Sequence, residues 1–163
     1  MSEISEEIIH ALDLMPLFIG VSRDHLRELA KLATILEVQA NEVLVAESDM
    51  GDKIFAIISG RVDIRMHTLG SMHYETIAQI KNGEVLGEAV LLGKTRRNAS
   101  AMARDSVIAL SWSGGDMLDY FEKHQGVGYE VMRNLARIVF DRLSATNMSL
   151  RNALNGLVDV YER

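Results

Sequence analysis

The hydrophobic period of this chain changes twice, at Thr34 and again at Ser113, and this constrains the fold more than any other feature of the sequence. Before Thr34, Ile4, Ile8, Ile9, Leu12 and Met15 recur at helical spacing up to Pro16. That pattern predicts a helix ending near Leu14, because the residue before proline avoids the α region. Ser22 is a good N-cap for a second helix, with Asp24 in its first turn and Leu26, Leu29, Ala30, Leu32 and Ala33 on its apolar face. From Thr34 the period is two, and residues 35–38, 43–46, 54–58, 62–66, 74–80 and 99–112 read as strands. Residues that tolerate tight turns separate them: Ala40-Asn41, the run from Ser48 to Asp52, Ser59-Gly60, Leu69-Gly70-Ser71 and Lys81-Asn82-Gly83. Short strands at such close spacing predict an antiparallel sandwich or roll.

Helical spacing returns after Ser113, an N-cap with Asp116 three residues on, and Met117, Leu118, Tyr120 and Phe121 predict a short helix that Gly126 and Gly128 interrupt. From Tyr129 to Tyr161 there is no proline and one glycine, Gly156. The simplest reading is one helix of about 33 residues, near 50 Å long at 1.5 Å per residue. A small domain cannot cover such a helix. Its late seam, Leu143, Asn147, Leu150, Leu154, Leu157 and Tyr161, steps by four and three in alternation, a heptad pattern that predicts a partner helix. Upstream, Met132, Leu135 and Val139 continue the stripe to Leu143 with one extra residue, a stutter. The expected fold is mainly β with α: an antiparallel β-roll flanked by N-terminal helices and a long C-terminal dimerisation helix. A length of 163 residues suits one domain, divided into helices at 1–33, a roll at 34–112 and helices at 113–163.

Charge and composition exclude several functions. The net charge is −6 and the basic residues are scattered, Arg96 with Arg97 being the only adjacent pair, so no stripe exists to neutralise a nucleic-acid backbone. Glu3, Glu6 and Glu7 stand where a secretory signal needs positive charge, and no apolar run approaches the roughly 18 residues of a membrane helix. A cytoplasmic protein binding neither DNA nor membrane is expected. There is no cysteine, the five histidines lack paired ligand spacing, and no Gly-x-Ser-x-Gly elbow occurs, so neither a catalytic nor a metal site is expected. Gly126-Val127-Gly128 lacks the third glycine and the preceding strand of a dinucleotide fingerprint. Trp112 and the nine methionines read as core and seam.

The informative segment is 83–101, GEVLGEAVLLGKTRRNASA. A turn at Asn82-Gly83 feeds a short strand, Gly87-Glu88-Ala89 opens a helical turn running to Leu92, and a loop leads to Arg96-Arg97. Physically this is an anion site. Gly87 lets backbone approach a ligand, free N–H groups open the turn, and an arginine supplies a planar, charge-assisted fork. Only one of Arg96 and Arg97 can enter the pocket, since neighbouring strand residues face opposite ways. Glu88 would repel a phosphate and is better placed to accept from hydroxyls. As a bland alternative, Glu88 and Arg97 form only a salt bridge.

Gly87, Glu88, Ala89, Arg97, Ala99 and Ser100 resemble the phosphate-binding cassette of cyclic-nucleotide-binding domains, whose pattern is Gly-Glu, small, two apolar, then Arg and small residues. The likeness extends over most of the chain, through Leu17 to Ser22 and Gly51 to Val62, and is nearest in shape to the N-terminal half of catabolite-activator-type regulators. It implies a cyclic AMP or cyclic GMP ligand with no cofactor, Arg97 on the phosphate, Glu88 on the ribose 2′-OH, and Ile64, Ile77 and Leu86 along base and sugar. Asn98 stands where activator-type members carry a phosphate-binding serine, and Ser48 replaces a usual glycine. Laying the activator dimer helix on residues 135–155 puts Thr146-Asn147 where that group reaches the base, although both residues also fit polar positions of a seam. The chain ends at Arg163, near the hinge to the activators' helix-turn-helix, so that half is expected to be missing. The resemblance implies a non-enzymatic sensor working as a homodimer on a separate effector protein. A module of the same fold with an empty pocket is the alternative.

Overall fold

The structure, a computed structural model, describes residues 5–67, 73–93 and 95–161, with backbone only for Thr95 and residues 156–161. Ile4, the Leu69-Gly70-Ser71 turn and the seam side chains of Leu157 and Tyr161 lie outside the described residues. Helix α1 spans Glu6–Asp13, and its N-cap Ser5 accepts from the Ile8 N–H. Pro16 then opens the 3-10 turn Pro16–Phe18. Helix α2 spans Arg23–Leu32 behind Ser22, whose hydroxyl accepts from the His25 N–H as its position predicts.

Ten strands follow: β1 (Thr34–Val38), β2 (Val43–Val45), β3 (Met50–Gly51), β4 (Lys53–Ser59), β5 (Arg61–His67), β6 (Tyr74–Lys81), β7 (Val85–Leu86), β8 (Thr95–Arg96), β9 (Ser100–Ala103) and β10 (Val107–Ser113). They form an antiparallel roll of two four-stranded sheets, β1-β10-β4-β7 and β2-β9-β5-β6, with β3-β8 as a small third pair. The run 99–112 is therefore two strands and not one. The chain turns at residues 104–106, where Asp105 accepts from both the backbone N–H and the Nε of Arg61 at 2.7 Å. The polar triplet Arg104-Asp105-Ser106 is the sequence signal of that turn.

Period two decides where the core sits. On β4, Ile54 and Ala56 face the helices while Phe55 and Ile57 face the inside of the roll. Strand β10 divides likewise, Leu110 and Trp112 against the helices and Val107 and Ala109 inside, and so does β7, with Val85 outside and Leu86 inside. The first sheet is thus buried on both faces, which is why β4 reads as a nearly unbroken apolar run. Trp112 donates its Nε1–H to the Leu29 carbonyl at 2.7 Å and so fixes α2 on the sheet. By contrast, β6 is an edge strand exposed along almost its whole length.

Helix α3 (Gly114–Lys123) starts at the Ser113 cap, and α4 runs from Gln125 to Tyr161. Gly126 and Gly128 lie inside α4 and do not interrupt it. A Cβ on Gly128 would come 2.8 Å from Phe121 Cβ, so this glycine lets α3 and α4 cross closely. The early half of α4 packs Val127, Val131 and Leu135 into the core, and buried Asn134 donates to the Leu17 and Ile19 carbonyls at 3.1 and 2.7 Å. From Val139 to Asn155 the side chains are largely exposed. The stutter reading is corrected here. Leu135 faces the domain, and the exposed stripe continues upstream through Phe140, Ala136, Arg133 and Tyr129, keeping the alternation of four and three without a break.

Candidate functional site

The cassette turns on Gly87. Strand β7 pairs with β4 through Phe55 and Ala56, and immediately afterwards Gly87 takes φ +80°, opening the 3-10 turn Glu88–Leu92. An L side chain is strained at that φ, and a Cβ there would lie 2.6 Å from Arg97 Nη1 and 2.7 Å from the Lys53 carbonyl oxygen. Gly51 stands on the other side of the same guanidinium, where a Cβ would come 2.6 Å from Arg97 Nε. Two glycines thus leave a slot whose width is one arginine.

Arg97 is held in that slot from both ends. Its backbone N–H donates to the Asp49 carbonyl at 2.8 Å, its carbonyl accepts from the Ser48 N–H at 2.9 Å, and its Nη2 donates to the Lys53 carbonyl at 2.5 Å. Burial pushes its guanidinium below the ordinary arginine value, while the charges of Asp52 and Glu88 act in the opposite direction. Among the described residues no carboxylate forms a salt bridge with it, so the bland pairing of Glu88 with Arg97 is not what the structure contains. Arg96, one residue earlier, is exposed and donates to the Ser48 carbonyl at 3.2 Å. The pair divides as strand geometry requires.

Glu88 is a buried carboxylate at 9% exposure, and its partner comes from α4. Arg142 Nη1 donates to Glu88 Oε1, and Nη2 donates to the Val85 carbonyl at 2.8 Å. Nothing in the sequence marks Arg142. It is one of several arginines on a helix, and a solvated surface is the ordinary place for such a residue. Asp52, whose charge reaches Arg97, was likewise unmarked; its position in the turn before β4 was the only hint.

The other candidate residues are placed unevenly. Leu86 and Ile64 belong to the cluster inside the roll, Leu86 buried and Ile64 partly buried. Ile77 is 56% exposed at the bulge where the β5–β6 register shifts, and it does not belong to that cluster. Ala89 and Asn98 are exposed, and Ala99 is half-buried. Thr146 and Asn147 are also exposed, one turn beyond Arg142, and the Thr146 hydroxyl donates to the Arg142 carbonyl at 2.9 Å. Within one chain, then, Gly87, Glu88, Arg97 and Leu86 come together, while Ile77, Thr146 and Asn147 stand apart.

A backbone that bends at a left-handed glycine, a partly buried arginine without a carboxylate partner among the described residues and a buried carboxylate near it suit a ligand carrying both an anion and a hydroxyl. The sequence profile of the family described as Cyclic nucleotide-binding domain matches residues 35–124, more than half of the chain and all of the roll but Thr34. This chain belongs to that family. Glutaminase 1 of Bradyrhizobium diazoefficiens is 30% identical over 132 residues, which are 81% of this chain and 21% of that protein. Among solved structures, the Catabolite Activator Protein of Thermus thermophilus is 25% identical with a TM-score of 0.72, covering 83% of this chain and 61% of that one. The regulatory domain of Toxoplasma gondii PKA, crystallised with cAMP, has the same fold at 19% identity and a TM-score of 0.62, over 72% of this chain and 43% of that one. The chain spans about a fifth to two fifths of the length of the curated relatives it first matches. No helix among the described residues is long and apolar enough to cross a membrane.

Proposed function

We propose that this chain is a regulatory sensor domain that binds a cyclic nucleotide, cAMP or cGMP, in its roll. The observation that carries the reading is the slot formed by Gly51 and Gly87 around Arg97, whose guanidinium has a carbonyl partner and, among the described residues, no carboxylate partner. A cyclic phosphate supplies one negative charge and oxygens in the plane of the fork. Glu88 accepts from the ribose 2′-OH, and the N–H groups of Glu88 and Ala89, which open the 3-10 turn, face the phosphate oxygens together with the Asn98 amide. Ile64 and Leu86 flank the sugar and base, with Ile77 closing from the edge strand. Thr146 and Asn147 meet the base from the helix of a second copy, since their own chain leaves them exposed.

In this reading the whole chain works as one domain, as a cytoplasmic, non-enzymatic homodimer joined along the exposed stripe of α4. The nucleotide favours one arrangement of α4 over another, and a separate effector protein responds. Neither DNA nor membrane is a partner. Support comes from the uninterrupted heptad spacing of Phe140, Leu143, Asn147, Leu150 and Leu154, all exposed.

Calorimetric titration with cAMP and with cGMP tests the proposal. The unaltered protein should bind at least one of them, and Arg97→Ala should weaken it by about 2–5 kcal/mol, a loss of roughly 30-fold to several thousand-fold. Arg97→Lys should recover little, because an ammonium keeps the charge and loses the fork. Binding that survives Arg97→Ala unchanged moves the phosphate elsewhere, and no heat with either nucleotide leaves a module with an empty pocket.

A further inference from the structure

A second concave site lies on the other side of β7, and the nucleotide reading does not use it. It is a cleft of about 190 Å³ between α4, the Pro16–Phe18 turn and the bend at residues 83–85. Small-molecule pockets generally run from about 300 to 1,000 Å³, so this volume suits one inserted side chain better than a free metabolite. Buried Leu17 and Val85 and half-buried Ile138 supply an apolar lining, and Glu84, Asp141 and Arg142 supply the charges.

The balance of those charges gives the sign of the occupant. Arg142 is already matched by Glu88, and its second nitrogen by the Val85 carbonyl. Glu84 accepts one backbone N–H, from Lys81 at 2.9 Å. Asp141 has no hydrogen-bond or ion-pair partner among the described residues. Among the lining residues, two carboxylates thus remain against no unmatched cation, beside an apolar lining. An aliphatic stem ending in a positive charge fits both halves. We propose that this cleft docks a basic segment of another protein, taking one arginine or lysine side chain as the anchor of the contact.

Arg142 lines the cleft and also holds Glu88, so docking and nucleotide binding share a residue. When Glu88 turns to a ribose hydroxyl, Arg142 is freed beside Glu84 and Asp141 and cancels part of their charge. Nucleotide therefore weakens docking. This coupling rests on the nucleotide reading; docking itself does not.

The probe is N-acetyl-arginine methylamide, titrated into the full chain without nucleotide and followed by amide chemical shifts. Saturable shifts at Leu17, Gly83, Val85 and Ile138 are expected. Binding should weaken about fivefold or more, close to 1 kcal/mol, in the Glu84→Gln, Asp141→Asn protein, and N-acetyl-norleucine methylamide should bind weaker by a similar factor. A thermal melt of the double variant confirms that it is folded. Absence of saturable shifts at those amides, equal binding of the arginine and norleucine probes, or tighter binding of N-acetyl-glutamate methylamide would each overturn the site. Repeating the titration with saturating cAMP or cGMP, and reading nucleotide binding from the melting shift of the same samples, tests the coupling. A melting shift with unchanged arginine affinity refutes the coupling alone. No melting shift with either nucleotide refutes the coupling together with the nucleotide reading, while the docking site stands or falls on the nucleotide-free titration.

Discussion

The two halves of α4 have similar composition and opposite surroundings. Up to Ile138 the helix is part of the domain: Val127, Val131 and Leu135 are in the core and Asn134 is bonded to two carbonyls of the Pro16–Ile19 segment. Beyond it, Phe140, Leu143, Leu150 and Leu154 are each more than half exposed, and Arg142 is the residue that still ties the helix to the roll through a side-chain hydrogen bond. Helical propensity therefore does not distinguish the halves. What distinguishes them is which stripe of the helix has something to bury it, and Arg142 sits where the answer changes.

The largest expected effect tests the inner half. Leu135→Ala removes a side chain that is 2% exposed and should cost about 2–5 kcal/mol in a denaturant titration, with the oligomeric state unchanged at matched folded fraction. A loss below about 0.5 kcal/mol, the range found for surface substitutions, would mean that the inner half is not core in solution. On the outer half, Leu150→Glu with Leu154→Glu should turn dimers into monomers in light scattering while changing the stability of the folded monomer by no more than about 1 kcal/mol. An unaltered protein that is already monomeric at micromolar concentration would remove the partner helix from the account.

The smallest effect sharpens how the inner half is hung on the domain. Helix α3, which precedes α4, is held to α2 by Tyr120, whose hydroxyl donates to Glu28 at 2.5 Å and meets His25 Nδ1 at 2.7 Å. The Tyr120 hydrogen bond, helped by the charges of His124 and His25, holds the Glu28 carboxyl below its ordinary value. A carboxylate lowered in the folded state stabilises above its unfolded pKa, about 4.3, and that stability is lost as pH falls through the lower folded value. Tyr120→Phe should therefore make the acid limb of the stability curve shallower between about pH 5 and 3. An identical acid limb in the two proteins would show that the contact carries no charge-dependent stability.

The sequence made the roll legible where an apolar run or a period-two alternation held for five residues or more, as on β4 and β5 respectively, and the caps Ser22 and Ser113 marked the starts of α2 and α3. It did not show β3, whose two residues lie inside the run of turn formers from Ser48 to Asp52. Helix α4 carries apolar residues on two faces, so Leu135 and Val139 could be threaded into one seam with Leu143 when Phe140 is the residue that continues it. Within the cassette, Gly87 and Arg97 were legible as candidates because an anion site favours an open backbone and an arginine fork, and Glu88 because the segment resembles the family's cassette. Glu88's partner was not, since it is brought from 54 residues away by the fold of α4.

In the nucleotide reading, the buried Glu88 carboxylate exchanges Arg142 for a ribose hydroxyl when a cyclic nucleotide enters. The most direct measurement compares the affinity of the natural cyclic nucleotide with that of its 2′-deoxy analogue, on the unaltered protein and on Glu88→Gln. Glu88→Gln should weaken the ribose ligand by about 1.5–3 kcal/mol, the range for a hydrogen bond to a charged group, and leave the deoxy ligand much less affected. Equal losses for the two ligands would contradict it, and would make Glu88 a structural partner of Arg142 alone.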